Sequence, residues 1–294
     1  MAVYPITFSI PESKLVTEIP VKTKFISTII PGDVKTYTFN TEEAYYNEYK
    51  SSIFALTTKK GGWDCMRHYE VLANGCIPYF PSIEYCPNTI LALLPKKLLI
   101  EGNALYKKYK NTKFEDIDMN ECKNFSQKLL DYTRRNLTTI AMAKYFIYTL
   151  NMPNIERILI LNGKTNPDYL RCSLLHGLKE LLGKNCHDSP KVPHIYKSNT
   201  INYTKLYGNG YSYSNLLDSS LHDEMSENTL IDDIKAMKYD IIVYGSYHRG
   251  MPHYDLVQEI YPGDKIILLC GEDTHSCRYD KYLEKGHKLF IREM

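Results

Sequence analysis

The sequence predicts an α/β protein made of two doubly wound, Rossmann-like domains that face one another across a cleft. Two observations predict it. Short apolar runs bounded by turn signals recur along the chain and read as buried parallel strands, with helix-period segments between them. At 294 residues the chain is also long enough to bury two medium cores. The division reads as 1–150 and 151–294, with a connecting helix over 121–150.

In the first half, Ile53-Phe54-Ala55-Leu56-Thr57 reads as a buried strand, followed by the basic glycine turn Lys59-Lys60-Gly61-Gly62-Trp63-Asp64. Asp64 is placed to cap a helix of about three turns and Gly75 to end it in the left-handed conformation. Residues 121–150 read as one long helix, with Phe125, Leu129, Leu130, Leu137, Ile140 and Ala141 at three-to-four spacing and Pro153 beyond its end. A strand over 155–161 and a polar loop with Gly163 and Pro167 come next, then a helix over 169–182. Further strands fall at 239–244, 265–270 and 288–291, all apolar runs of parallel-sheet type. Residues 186–232 are rich in Asn, Ser, Tyr and Gly around Tyr207-Gly208-Asn209-Gly210-Tyr211-Ser212-Tyr213. That segment reads either as a surface excursion or as a carbohydrate-contacting loop.

Composition narrows the function classes. Hydrophobic residues at 44% and charged residues at 24% are globular averages, and a net charge of +2 makes no electrostatic case for nucleic acid. No apolar run reaches membrane length and no secretory signal is visible, so membrane insertion is not expected and the expected location is cytoplasmic. Asn-x-Ser/Thr triplets at Asn124 and Asn202 then have no expected glycosylation role. The eight cysteines are scattered without a CxxC pair, reduced thiols are expected, and His275 near Cys277 lacks the remaining ligands of a metal site. Most of the 26 tyrosines are expected to be scaffold.

The helix after the glycine turn carries the clearest chemistry. Arg67 and Glu70 stand three apart and share a face. With the helix N-terminal amides, Arg67 suits a diphosphate, while Glu70 suits ribose hydroxyls. An ordinary helical ion pair is the structural alternative. Lys59 and Lys60 abut the turn, as phosphate partners or as solvated lysines, and Trp63 either stacks on a base or sugar or anchors the loop.

The string Cys65-Met66-Arg67-His68-Tyr69-Glu70-Val71-Leu72-Ala73-Asn74-Gly75-Cys76-Ile77-Pro78 resembles the donor-binding signature of exostosin-like glycosyltransferases, including short exostosin-like proteins of large algal DNA viruses. The resemblance covers roughly residues 50–100 and departs from the usual family form at Lys59–Asp64. It implies the GT-B architecture and an inverting transfer from a nucleotide sugar. UDP is the implied nucleotide, with xylose first among the sugars considered, and the acceptor is a glycan or glycoprotein hydroxyl. It assigns the donor diphosphate to Arg67 and the ribose to Glu70. GT-B chains usually place the donor domain second, so the order here reads as permuted. Consistent with that, the chain ends on a strand, and Ile6-Thr7-Phe8-Ser9-Ile10-Pro11 reads as the segment that would follow such an edge.

Ligands of open α/β sheets bind beyond the strands' C-terminal ends, which selects three second-half loops: 162–165, 246–250 and 271–275. Asp273, Glu272 and His248 are therefore the candidates for the base that deprotonates an acceptor hydroxyl, with Arg249 a partner for phosphate or an acidic acceptor. Arg, Lys and helix amides can hold a leaving diphosphate, so this design requires neither cofactor nor metal. The competing readings are a carbohydrate-binding protein without turnover and a sugar phosphorylase.

Overall fold

The computed structural model describes residues 2–152, 154–273 and 278–294. Pro153, His275 and Cys277, used above as boundary and ligand candidates, lie outside them. Elements in chain order are β1 (Val3–Pro5), β2 (Lys24–Ile26), α1 (Glu42–Lys50), β3 (Ser52–Leu56), α2 (Met66–Ala73), β4 (Ile77–Tyr79), α3 (Lys96–Tyr109), α4 (Met119–Asn136) and α5 (Thr139–Leu150). There follow β5 (Ile158–Leu161), α6 (Tyr169–Leu182), β6 (Cys186–Ser189), α7 (Glu224–Lys235), β7 (Ile241–Tyr244), α8 (Tyr254–Ile260), β8 (Ile266–Cys270), α9 (Asp280–Leu283) and β9 (Lys288–Ile291).

The strands form two parallel sheets flanked by helices, an α/β arrangement compatible with a Rossmann-like fold. One is six-stranded in the order β1-β9-β8-β7-β5-β6, and the other three-stranded in the order β2-β3-β4. In the larger sheet the chain steps from β5 outward to β6 and then from β5's other side to β7, so the order reverses there and opens a crevice at the strands' C-terminal ends. Alternate residues of its strands enter two clusters. Ile158, Ile160, Val243 and Phe290 face one side, while Leu159, Leu161, Tyr244 and Leu289 face the other, so both faces are covered. The first cluster continues into Ile53 and Phe54 of β3 and Leu72 of α2, joining the layers that cover both sheets.

Several expectations are corrected. The first residues do not stay with the first half: β1 pairs with β9 in parallel, Val3 opposite Leu289 and Pro5 opposite Ile291. Pro5 is tolerated because β1 is a sheet edge. Ile6–Pro11 then runs on from that edge, and Ile10 bonds between two helices, its N–H to Leu137 O and its carbonyl to Thr139 N. That insertion divides the expected 121–150 helix into α4 and α5, with Thr138 Oγ1 accepting from Ala141 N to cap the second. Segment 186–232 begins with a buried strand, β6, whose Cys-His-Asp-Ser sequence carries no apolar pattern. Helix α2 has eight residues, nearer two turns than three. Asp64 does not cap it; the residue at that position is Cys65, with no side-chain hydrogen bond. Gly75 does end it, at φ +61°, with Gly75 N–H bonding Leu72 O and Cys76 N–H bonding Val71 O. Cys270 is disulfide-bonded, whereas six of the other cysteines are free. Among the described residues no helix is long and apolar enough to cross a membrane.

Candidate functional site

The C-terminal ends of both sheets open onto one cleft of about 540 Å³. Its first wall is the turn after β3 and the start of α2: Lys60, Gly61, Gly62, Asp64, Cys65, Met66 and Arg67. The turn is held from behind by His68. Its Nε2 donates to Trp63 O at 2.8 Å, which leaves Nδ1 to accept from Thr57 Oγ1, also at 2.8 Å. Burial lowers the pKa of His68 to about 3, so the ring is neutral, and it stacks on Phe80 at 4.8 Å. Trp63 packs near Phe80, carries Lys59 over its ring and is not among the residues that line the cleft, the placement of a loop anchor.

The opposite wall comes from the loops after β8 and β7 and from the start of α6: Gly271, Glu272, Asp273, Arg249, Pro167, Asp168 and Tyr169. Tyr207, Tyr213 and Phe8 also line the cleft, each ring in contact with that of Tyr169. The two glycines of the turn let this wall approach closely. A Cβ at Gly61 would lie 2.5 Å from Asp273 Oδ2, and one at Gly62 would collide with the Glu293 carboxylate. Beneath them Arg292, fully buried at the end of β9, donates to Asp64 O at 2.6 Å and to Gly271 O at 3.1 Å, and ion-pairs with Asp273 and Glu293. Its guanidinium lies 4.4 Å from the Phe8 ring centroid. Glu293 Oε1 accepts the Asp64 N–H at 2.8 Å. The chain's last strand thus grips the peptide between turn and helix. Sequence reading missed Arg292 and Glu293, because their partner Asp64 is more than 200 residues away, and it missed His68, whose partners Trp63 and Thr57 are local but form no recognisable motif with it.

Arg67 is 7% exposed. Its Nε donates to Tyr37 Oη at 3.0 Å, its Nη1 is buried without a hydrogen-bond partner, and it makes no ion pair among the described residues. The helical ion pair with Glu70 is therefore not formed. Glu70 instead accepts from Tyr45 Oη at 2.7 Å and Ser212 Oγ at 2.5 Å, and it does not line the cleft. Burial raises its pKa, with the Ser212 and Tyr45 hydrogen bonds opposing. Its ribose role is thus not matched by this geometry: both oxygens are occupied by protein hydroxyls, one of them from the tyrosine-rich segment around 211. That segment crosses to the first half, stacking Tyr211 on Tyr45 at 5.6 Å.

Of the base candidates, Asp273 is committed to Arg292. Glu272 lines the cleft and lies 2.5 Å from His248 Nε2, while His248 itself stands behind it, its pKa lowered by burial against the opposing pull of Glu272. Arg249 donates to Pro167 O at 3.0 Å and lies 3.5 Å from Asp168. Asp168 caps α6 through Arg171 N and accepts from Ser246 Oγ. Its burial disfavours charge, but Arg171 and Arg249 prevail and lower its pKa. Lys60 lines the cleft and Lys59 does not.

No family model, curated protein or solved structure matches this chain. The arrangement itself is an anion-receptive wall of Arg67, Lys60 and an α-helix start that no side chain caps. It faces a carboxylate, Glu272, that is held by a histidine. Chemically it suits a ligand with a diphosphate at one end and a group to be deprotonated at the other.

Proposed function

We propose that the protein is an inverting glycosyltransferase of GT-B type that moves a sugar from a UDP-sugar to a glycan hydroxyl, with the donor-binding unit first in the chain. The observation that carries this reading is Arg67. A guanidinium buried without an ion pair, with Nη1 unpartnered at an uncapped helix start, is costly unless an anion completes it. A departing nucleoside diphosphate is such an anion, and its charge grows in the transition state, so Arg67 stabilises that state more than the ground state. Lys60 adds positive charge on the same wall.

Across the cleft, Glu272 is the base and His248 the residue that orients it, because Asp273 is already bound by Arg292. Tyr169 and Tyr207 supply aromatic faces of the kind that sugars stack on, with buried Tyr213 packed behind Tyr169. The uridine and the preference for xylose rest on the sequence resemblance.

The test is calorimetry with UDP, GDP and a panel of nucleotide sugars on the wild-type chain and on Arg67→Ala. Charge-assisted hydrogen bonds contribute about 1.5–3 kcal/mol each, so UDP affinity should fall at least tenfold in Arg67→Ala, and sugar transfer should fall further. Equal affinity in the two proteins would sink the diphosphate site. Binding of GDP-sugars alone would sink the uridine.

A further inference from the structure

A second constellation lies away from the cleft, where edge strand β6 meets the start of α7. His187 of β6 and His222 just before α7 are 2% and 4% exposed, and Glu227 lies in the first turn of α7. One ligand atom from each falls within 4.8 Å of the others. None of the three residues lines the cleft. His187 Nε2, His222 Nε2 and Glu227 Oε1 are all buried, and all three lack a hydrogen-bond partner. Buried acceptor-capable atoms left without partners are costly, and here three of them come from residues gathered in one place.

The atoms behind them are not orphaned. His222 Nδ1 lies 3.2 Å from Asp188 Oδ1, to which it donates, and His187 Nδ1 lies 3.1 Å from Tyr239 Oη. Glu227 Oε2 accepts from Ser189 Oγ at 2.6 Å. Each ring is thus held by its far nitrogen and the carboxylate is steadied by its other oxygen; His222 Nε2 is left as an acceptor by the Asp188 contact, and His187 Nε2 is one in the tautomer whose Nδ1–H donates to Tyr239 Oη. This is the outer support that metal-bound histidines and carboxylates use to fix tautomer and aim.

We propose that His187, His222 and Glu227 bind a divalent transition-metal ion, zinc first, that fastens α7 to the edge of the six-stranded sheet. Two imidazoles and one carboxylate are a donor set that zinc takes in tetrahedral form, with metal–ligand lengths of about 2.0–2.2 Å. Those lengths bring ligand atoms to roughly 3.3 Å apart. His222 Nε2 and Glu227 Oε1, at 3.7 Å, are already near that spacing. The fourth position falls to water or to Glu224, whose Oε2 is 3.8 Å from His222 Nε2 and whose side chain is 73% exposed. Glu227 is itself 29% exposed, so an ion has a path in from solvent. Charge is also manageable: Asp188, behind His222, is paired with buried Lys179 at 3.2 Å and adds little net repulsion or attraction. No sequence motif announces the site, because its ligands are 35 and five residues apart and meet only when α7 docks on β6.

The full chain, stripped with EDTA and re-equilibrated with zinc chloride, should retain one zinc per chain by mass spectrometry after gel filtration. At hundredfold excess over its dissociation constant the ion should raise the melting temperature by about 4 °C. Cobalt(II) in its place should show the intense visible absorption of a tetrahedral site. His222→Gln and Glu227→Gln should lose both the retained zinc and the thermal shift while melting in EDTA near the wild-type temperature. Two results overturn the proposal: a wild-type chain that keeps no zinc above buffer background and gives no cobalt spectrum, or folded variants that keep zinc as the wild type does. The cobalt spectrum needs only the wild-type chain, so it decides the matter even if a variant fails to fold.

Discussion

At the scale of single residues, the cleft is set by where charge is left unsatisfied and where it is not. Asp64 accepts from Phe8 N and Tyr69 Oη in a fully buried position, and burial raises its pKa to about 6. The unfolded carboxyl titrates near 3.9, so between about pH 4 and 6 the native state holds a proton that the unfolded chain has released. The stability this proton contributes is full below about pH 4 and is lost as pH rises through 6, roughly 3 kcal/mol in all. Urea midpoints from pH 4 to 7 should therefore fall for the wild type relative to Asp64→Asn; parallel curves would show that Asp64 titrates normally. Glu272→Gln should lower turnover by about 10²–10⁴-fold with UDP affinity nearly unchanged, the signature of a lost base. Unaltered turnover in that variant, measured by transfer assay, would return the role to Asp273. That Arg67 would stand at the cleft wall was legible from one helix of sequence. The fate of Glu70 was not, because Tyr45 and Ser212 come from segments 25 and 142 residues away.

At the scale of elements, α2 and the α4–α5 pair show how far local rules reach. The end of α2 was readable because a left-handed residue at a helix C-terminus is a local requirement and Gly75 meets it. The break between α4 and α5 was not, although Thr138 is a good capping residue, since the run around it also fits an unbroken apolar face. What decides it is the Ile10 backbone bonding to Leu137 and Thr139. Thr138→Ala removes the Ala141 N–H partner and should cost about 1 kcal/mol, read from urea or thermal unfolding. A variant as stable as the wild type would mean that the bonds from Ile10 alone hold the break.

At the scale of the whole molecule, the two ends of the chain meet and act on the middle. β1 closes the six-stranded sheet beside β9, and Arg292 and Glu293, just past β9, hold both backbone groups of Asp64. Arg292→Met removes a fully buried cation and leaves the buried Glu293 carboxylate uncompensated, while Asp273, 60% exposed, stays solvated. A loss of about 3–5 kcal/mol in unfolding free energy is expected, together with weakened UDP binding as the Gly61–Asp64 turn loosens. Calorimetry on the folded fraction separates the two effects. Wild-type UDP affinity there would show that the turn does not depend on the C-terminal strand.

The sequence by itself determined the alternation of strands and helices in both halves. It also determined the parallel character of β5, β7, β8 and β9, and the glycine turn with its arginine helix. All of these depend on periodicity, on capping and on residue types within a few positions. Only the tertiary structure decided that residues 3–5 join the far sheet, that β6 is a strand despite its polar sequence, and which charges are satisfied and which are left open. Those outcomes depend on hydrogen bonds and ion pairs between residues tens to hundreds of positions apart, whose free energy exists only once both layers are packed against each other.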